Sequence, residues 1–77
     1  MAGVSYSELA QREAELARAE LVRAEGARRF ALRQTDMGLR EYFLRLARQC
    51  ESDSSNHAAR ARRFAALAVP GEPIATP

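Results

Sequence analysis

The feature that most constrains this chain is a set of apolar residues at helical spacing: Leu39, Tyr42, Phe43, Leu46, Ala47 and Cys50. They recur at steps of three and four, which draws one apolar stripe along a helix of 3.6 residues per turn. Arg40, Glu41, Arg45 and Arg48 fall off the stripe and face solvent. Thr35 or Asp36 can accept a hydrogen bond from the first free amides, so the helix begins there. A helix that is apolar on one side needs a partner.

The preceding segment supplies one. Ser5 with Glu8 three residues later fits a capping box, and Val4 and Leu9 fit the flanking hydrophobic staple. From Tyr6 to about Gln34 the residues are good helix formers, dominated by Ala, Leu, Glu, Arg and Gln. Tyr6, Ala10, Ala14, Ala17, Leu21, Ala24 and Ala31 form the seam of this first helix, with Leu9, Leu16, Ala27 and Phe30 beside it. Alanine at a seam lets another backbone approach closely. Gly26 costs about 1 kcal/mol relative to alanine inside a helix, and it marks a tight crossing or a slight kink. Glutamates dominate the first half of the helix and arginines the second, which complements the helix dipole. Glu8–Arg12 and Glu25–Arg29 have the favourable spacing for ion pairs along one helix.

Gln34–Gly38 reads as the turn. A short connection makes the two helices antiparallel neighbours, so residue i faces roughly residue 70 − i. In that register Arg60, Arg62 and Arg63 meet Glu8 and Glu13, and Glu41 meets Arg28 and Arg29. Glu51–Asn56 is rich in poor helix formers, and a break at 52–55 with a third helix after it is the alternative to one long helix. The spacing of Cys50, Ser54, His57, Ala61, Phe64 and Ala68 runs through that segment without losing phase. One helix from Asp36 to about Ala68 is therefore favoured. Val69–Pro73 ends it, because proline and glycine do not continue a helix.

A chain of 77 residues makes one small domain. Scaffolds of this size need disulfides, a metal or association to gain enough stability. The lone Cys50 cannot form an internal disulfide, and its place on the stripe makes it a small buried hydrophobe. Association remains. No apolar run approaches the roughly 20 residues that span a bilayer, and Met1–Leu9 lacks the basic and apolar regions of a secretory signal. Both readings favour a cytoplasmic protein.

The chemistry of catalysis is sparse. Cys50, Asp53 and His57 lie along one helix, but they offer awkward geometry for four metal ligands, and no paired Cys or His motif accompanies them. No glycine-rich phosphate loop and no oxyanion loop is present. The expectation is a protein with no enzymatic activity, no cofactor and no metal. Arg28, Arg29 and Arg33, with Arg60, Arg62 and Arg63, are the candidate nucleic-acid contacts. The two clusters sit at opposite ends of the hairpin, each facing acidic residues, and the net charge of +2 creates no strong field.

The segments Arg28–Ala31, Thr35–Arg40, Leu46–Ala47 and Glu51 together resemble a pattern in short uncharacterised bacterial proteins, often alphaproteobacterial. Those proteins read roughly R-R-x-A, T-D-P-x-x-R, L-A and E, and the resemblance implies a helical hairpin without implying an activity. Met37 stands where the pattern usually has proline.

The expected architecture is all-α: an antiparallel hairpin of helices over about 6–34 and 36–68, spanning one domain at 1–69. A Pro-rich tail follows at 70–77. Leu9, Leu16, Leu21, Phe30, Leu39, Tyr42, Phe43, Leu46 and Phe64 are the interface residues. Two hairpins would make a four-helix bundle. The expected role is a structural or interaction module, either a homo-oligomer (dimer first) or an accessory subunit of a larger complex. The alternative is a small nucleic-acid-associated protein using the arginines at the hairpin ends.

Overall fold

The computed structural model describes residues 3–68; Val69 and the expected tail at 70–77 lie outside the described residues. Two helices, α1 (Tyr6–Arg33) and α2 (Met37–Leu67), pack along their length as an antiparallel hairpin. The protein is a rod of 55 × 19 × 17 Å.

Local chemistry sets the helix ends. The Ser5 hydroxyl accepts from the Glu8 amide at 3.1 Å, and the Glu8 carboxylate accepts from the Ser5 amide at 3.1 Å. Two orphan donors are thereby satisfied reciprocally, and the capping box is complete. Its formation engages Glu8, which the spacing alone pairs with Arg12. Of the two candidates for the second cap, Asp36 takes the role and accepts from the Leu39 amide at 2.9 Å. The turn is tighter than Gln34–Gly38, because Met37 and Gly38 are already helical. Arg40 spans it, donating from Nη2 to the Gln34 carbonyl at 3.0 Å.

α2 runs unbroken through 52–55. A helix there keeps Ser54 on the inner face, where its hydroxyl donates to the Ala17 carbonyl of α1 at 2.8 Å. Ser54 thus gains a partner across the interface, which offsets its poor helix propensity.

The seam between the helices is made of small residues. On α1 the inward positions are Ala10, Glu13, Ala17, Glu20, Ala24, Ala27, Ala31 and Gln34. On α2 they are Phe43, Ala47, Cys50, Ser54, His57, Ala61, Phe64 and Ala68. Both sets alternate steps of three and four, the period of a left-handed coiled pair. Five alanines and Cys50 form the buried apolar core, and no large side chain is fully enclosed.

This seam corrects the sequence expectation at several positions. Leu39, Tyr42 and Leu46 belong to the apolar stripe of α2, yet they are exposed; Ala47 and Cys50 carry the buried contact, with Phe43 half-buried. On α1 Leu21 is 53 % exposed, and Glu20 beside it turns inward instead. Ala27, expected at the margin, is buried. Gly26 marks no tight crossing within the hairpin, since a Cβ there would meet nothing within 4 Å. Two helices alone cannot wrap around leucines, and the pairing that brings the backbones closest puts alanine inside.

Candidate interaction surface

Burying an alanine methyl contributes about 0.8 kcal/mol, whereas burying a Leu or Phe contributes about 1.5–3 kcal/mol. Most of the apolar area this chain can remove from water therefore lies outside the seam. Residues seven apart share a helix face. Leu9, Leu16, Arg23 and Phe30 form one such row on α1, and Leu39, Leu46, Asp53, Arg60 and Leu67 form one on α2. Both rows flank the seam, and antiparallel packing places them on the same side of the rod. Tyr42 lies next to the α2 row.

Leu16, Phe30, Leu39, Tyr42, Leu46 and Leu67 on this side are each 40–55 % exposed. Near the turn the rings of Phe30 and Phe43 stack at 5.3 Å, and Tyr42 meets Phe43 edge-on at 5.2 Å. Of the nine expected interface residues, seven lie on this side or its margin. Phe64 instead stacks on Tyr6 at 6.1 Å between the two helices, and Leu21 points to the other flank. That other flank carries the Arg28–Glu51 ion pair, whose two members confirm which rows share it.

Glu13, His57 and Arg60 gather at the open half of the seam. His57 Nδ1 lies 2.6 Å from Glu13 Oε1, and Arg60 Nε lies 3.2 Å from the same oxygen. The Glu13 carboxylate only accepts, and the Arg60 guanidinium, whose Nη2 lies 2.9 Å from the same Nδ1, only donates, so the tautomer of His57 sets which of the two Nδ1 bonds. Glu13 and His57 are both about four-fifths covered. The hydrogen bond from His57, then that from Arg60 and both positive charges, outweigh burial and draw the Glu13 pKa below its ordinary 4.5.

Cys50 sits on the same seam toward the turn. Burial, then the hydrogen bond to the Glu20 carboxylate, push its thiol above the ordinary 9.0. That is the reverse of what a nucleophilic thiol needs. Cys50, Asp53 and His57, adjacent along α2, turn to separate partners: Glu20, Gln49 and Glu13. Among the described residues no group of three or more His, Cys, Asp or Glu side chains converges on a metal-sized site, and no cavity is present.

The arginine clusters are partly consumed by the fold. Arg60 reaches Glu13, as the register predicts. Arg28 pairs with Glu51 rather than Glu41, and Arg29 pairs with Glu25 along its own helix at 3.2 Å. Arg33 lies over the Phe30 ring, 5.8 Å from its centroid. Arg62 and Arg63 are exposed at the open end.

No described helix is long and apolar enough to cross a membrane. Compared with protein-family models, with curated proteins and with solved structures, the chain matches none.

Proposed function

We propose that the protein is a non-enzymatic assembly module, a helical hairpin that lays its Leu/Phe side against further helices to complete a four-helix bundle. One observation carries this reading. The hairpin buries its alanines and leaves Leu16, Phe30, Leu39, Tyr42, Leu46 and Leu67 exposed along one side of the rod, with Arg23, Asp53 and Arg60 among them. Large apolar side chains gathered on one side and interspersed with charge support an interaction surface, and the rod shape suits it to further helices. The helices that cover it belong to another copy or to a larger complex.

Leu46 lies near the middle of this side at 40 % exposure, so a charge there stays solvated in a lone hairpin and is desolvated in a bundle. Leu46→Asp is expected to reduce the sedimenting mass of the purified protein, or its recovery of a larger partner from native lysate. Thermal stability should fall with it. A variant with unchanged mass, partner recovery and thermal midpoint overturns the proposal.

A further inference from the structure

Resting on that reading, we infer that the Leu/Phe side receives an acidic amphipathic helix of a different protein, its carboxylates set over arginines at the open end. The argument comes from how charge is placed among the leucines. Residues three further along each flanking row border its outer edge, which puts Arg12 beside Leu9 on α1 and Arg63 beside Arg60 on α2. The contact between Glu13 and His57 fixes the levels of the two helices. Arg12 and Arg60 then stand within about 3 Å of each other along the rod, and Arg63 within about 8 Å of Arg12.

The hairpin itself offsets little of this charge. Glu13 accepts from Arg60 but lies down in the seam, its side chain 19 % exposed. Glu8 is taken up by the capping box, and no carboxylate among the described residues pairs with Arg12 or Arg63. Asp53 is the one carboxylate in the two flanking rows, and it stands near the middle of α2, accepting from Gln49. The turn half of the same side is mainly apolar, with Phe30, Leu39, Tyr42 and Leu46 exposed. A helix laid along this side thus meets leucine and aromatic side chains at one end and arginines at the other. Covering those arginines without carboxylates would strip water from unpaired charge. A planar guanidinium pairs best with a carboxylate.

A second copy of this chain does not supply the carboxylates. A two-fold axis along the rod sets α1 against α2 of the second copy with the open ends together, so arginine faces arginine. An axis across the rod sets each helix against itself in reverse. The open-end arginines then face the aromatic half of the second copy, and Asp53 faces Asp53. Complementary charge has to come from another sequence.

Two synthetic peptides test this pairing. Both carry leucines at heptad a and d positions over about 28 residues, which at about 42 Å run most of the rod. One has glutamate at the flanking positions and the other lysine. Binding to the full-length protein is read by fluorescence anisotropy. The glutamate peptide is expected to bind at least about tenfold more tightly than the lysine peptide. Arg12→Glu combined with Arg63→Glu changes two exposed residues outside the seam; it is expected to reverse that preference with helical content unchanged. Equal affinities, no binding of either peptide, or a preference that the double variant keeps overturns the acidic partner. If wild type self-associates in sedimentation and Leu46→Asp abolishes it, the second copy is the occupant; the assembly reading then stands and this inference falls. If neither peptide binds and Leu46→Asp leaves mass, partner recovery and thermal midpoint unchanged, the assembly reading falls with it.

Discussion

The two halves of the hairpin seam are held by different physics. Near the turn the contact is alanine against alanine and thiol, with Ala24, Ala27, Ala31, Ala47 and Cys50 buried. Toward the open end the helices exchange directional bonds: Ser54 to the Ala17 carbonyl, and His57 and Arg60 to Glu13. Methyl contacts set how close the backbones come but tolerate sliding. Polar contacts contribute modestly and fail when the register slips, so they set alignment. A chain with the first half alone would pack tightly in several registers.

The largest expected effect comes from breaking the close approach. Ala24 is 1 % exposed, and Ala24→Leu pushes three more carbons into a gap sized for a methyl. It is expected to destabilise by about 3 kcal/mol, the upper range for overpacking, read from urea denaturation. A loss as small as that of a surface substitution would show that the turn half is not tightly packed.

Glu13→Gln addresses the polar half. It weakens both bonds from α2 and should lower the thermal midpoint at neutral pH by less than Ala24→Leu does. The Glu13 pKa is depressed in the folded protein, so its stabilisation is present above the ordinary value of 4.5 and is lost as pH falls through the lowered folded value. Wild type and variant should therefore differ at neutral pH and converge in acid. Parallel acid limbs would remove Glu13 from the alignment.

Gly26→Ala sharpens the boundary of the tight region. Two residues from Ala24, a Cβ at Gly26 meets open space, so alanine is expected to stabilise the hairpin by about 0.5–1 kcal/mol. Destabilisation would mean the close packing extends around the helix. Ser54→Ala is the mildest change. It loses a hydrogen bond of about 1 kcal/mol and regains about 0.5 kcal/mol of helix propensity. The net loss of about 0.5 kcal/mol should be visible in denaturant midpoints, and a gain in stability would show that the bond to Ala17 carries nothing.

Much of the fold is legible in the residues. The Ser5–Glu8 box and the Asp36 cap are local chemistry, decided within three residues, and both ends form where the spacing puts them. The unbroken phase from Cys50 to Ala68 outweighs the poor propensity of 52–55, because Ser54 on that phase finds a partner across the seam. The register is legible too, with Ala17 against Ser54 and Glu13 against His57. The Glu13–His57 contact itself carries no sequence signal beyond that register, since neither residue lies near the other in the chain.

Which apolar face turns inward is not legible. Periodicity shows that α2 has a broad apolar side but not its midpoint, and size favours Leu39, Tyr42 and Leu46 over Ala47 and Cys50. That choice is settled by both helices at once: their separation depends on every facing pair, and it is shortest where small residues oppose small residues. Helix limits, turn and register were thus determined by the sequence itself, through bonds and spacings local to each helix. The alanine seam and the exposed leucine side were decided only in the tertiary structure, because the distance between two helices is a property of neither one alone.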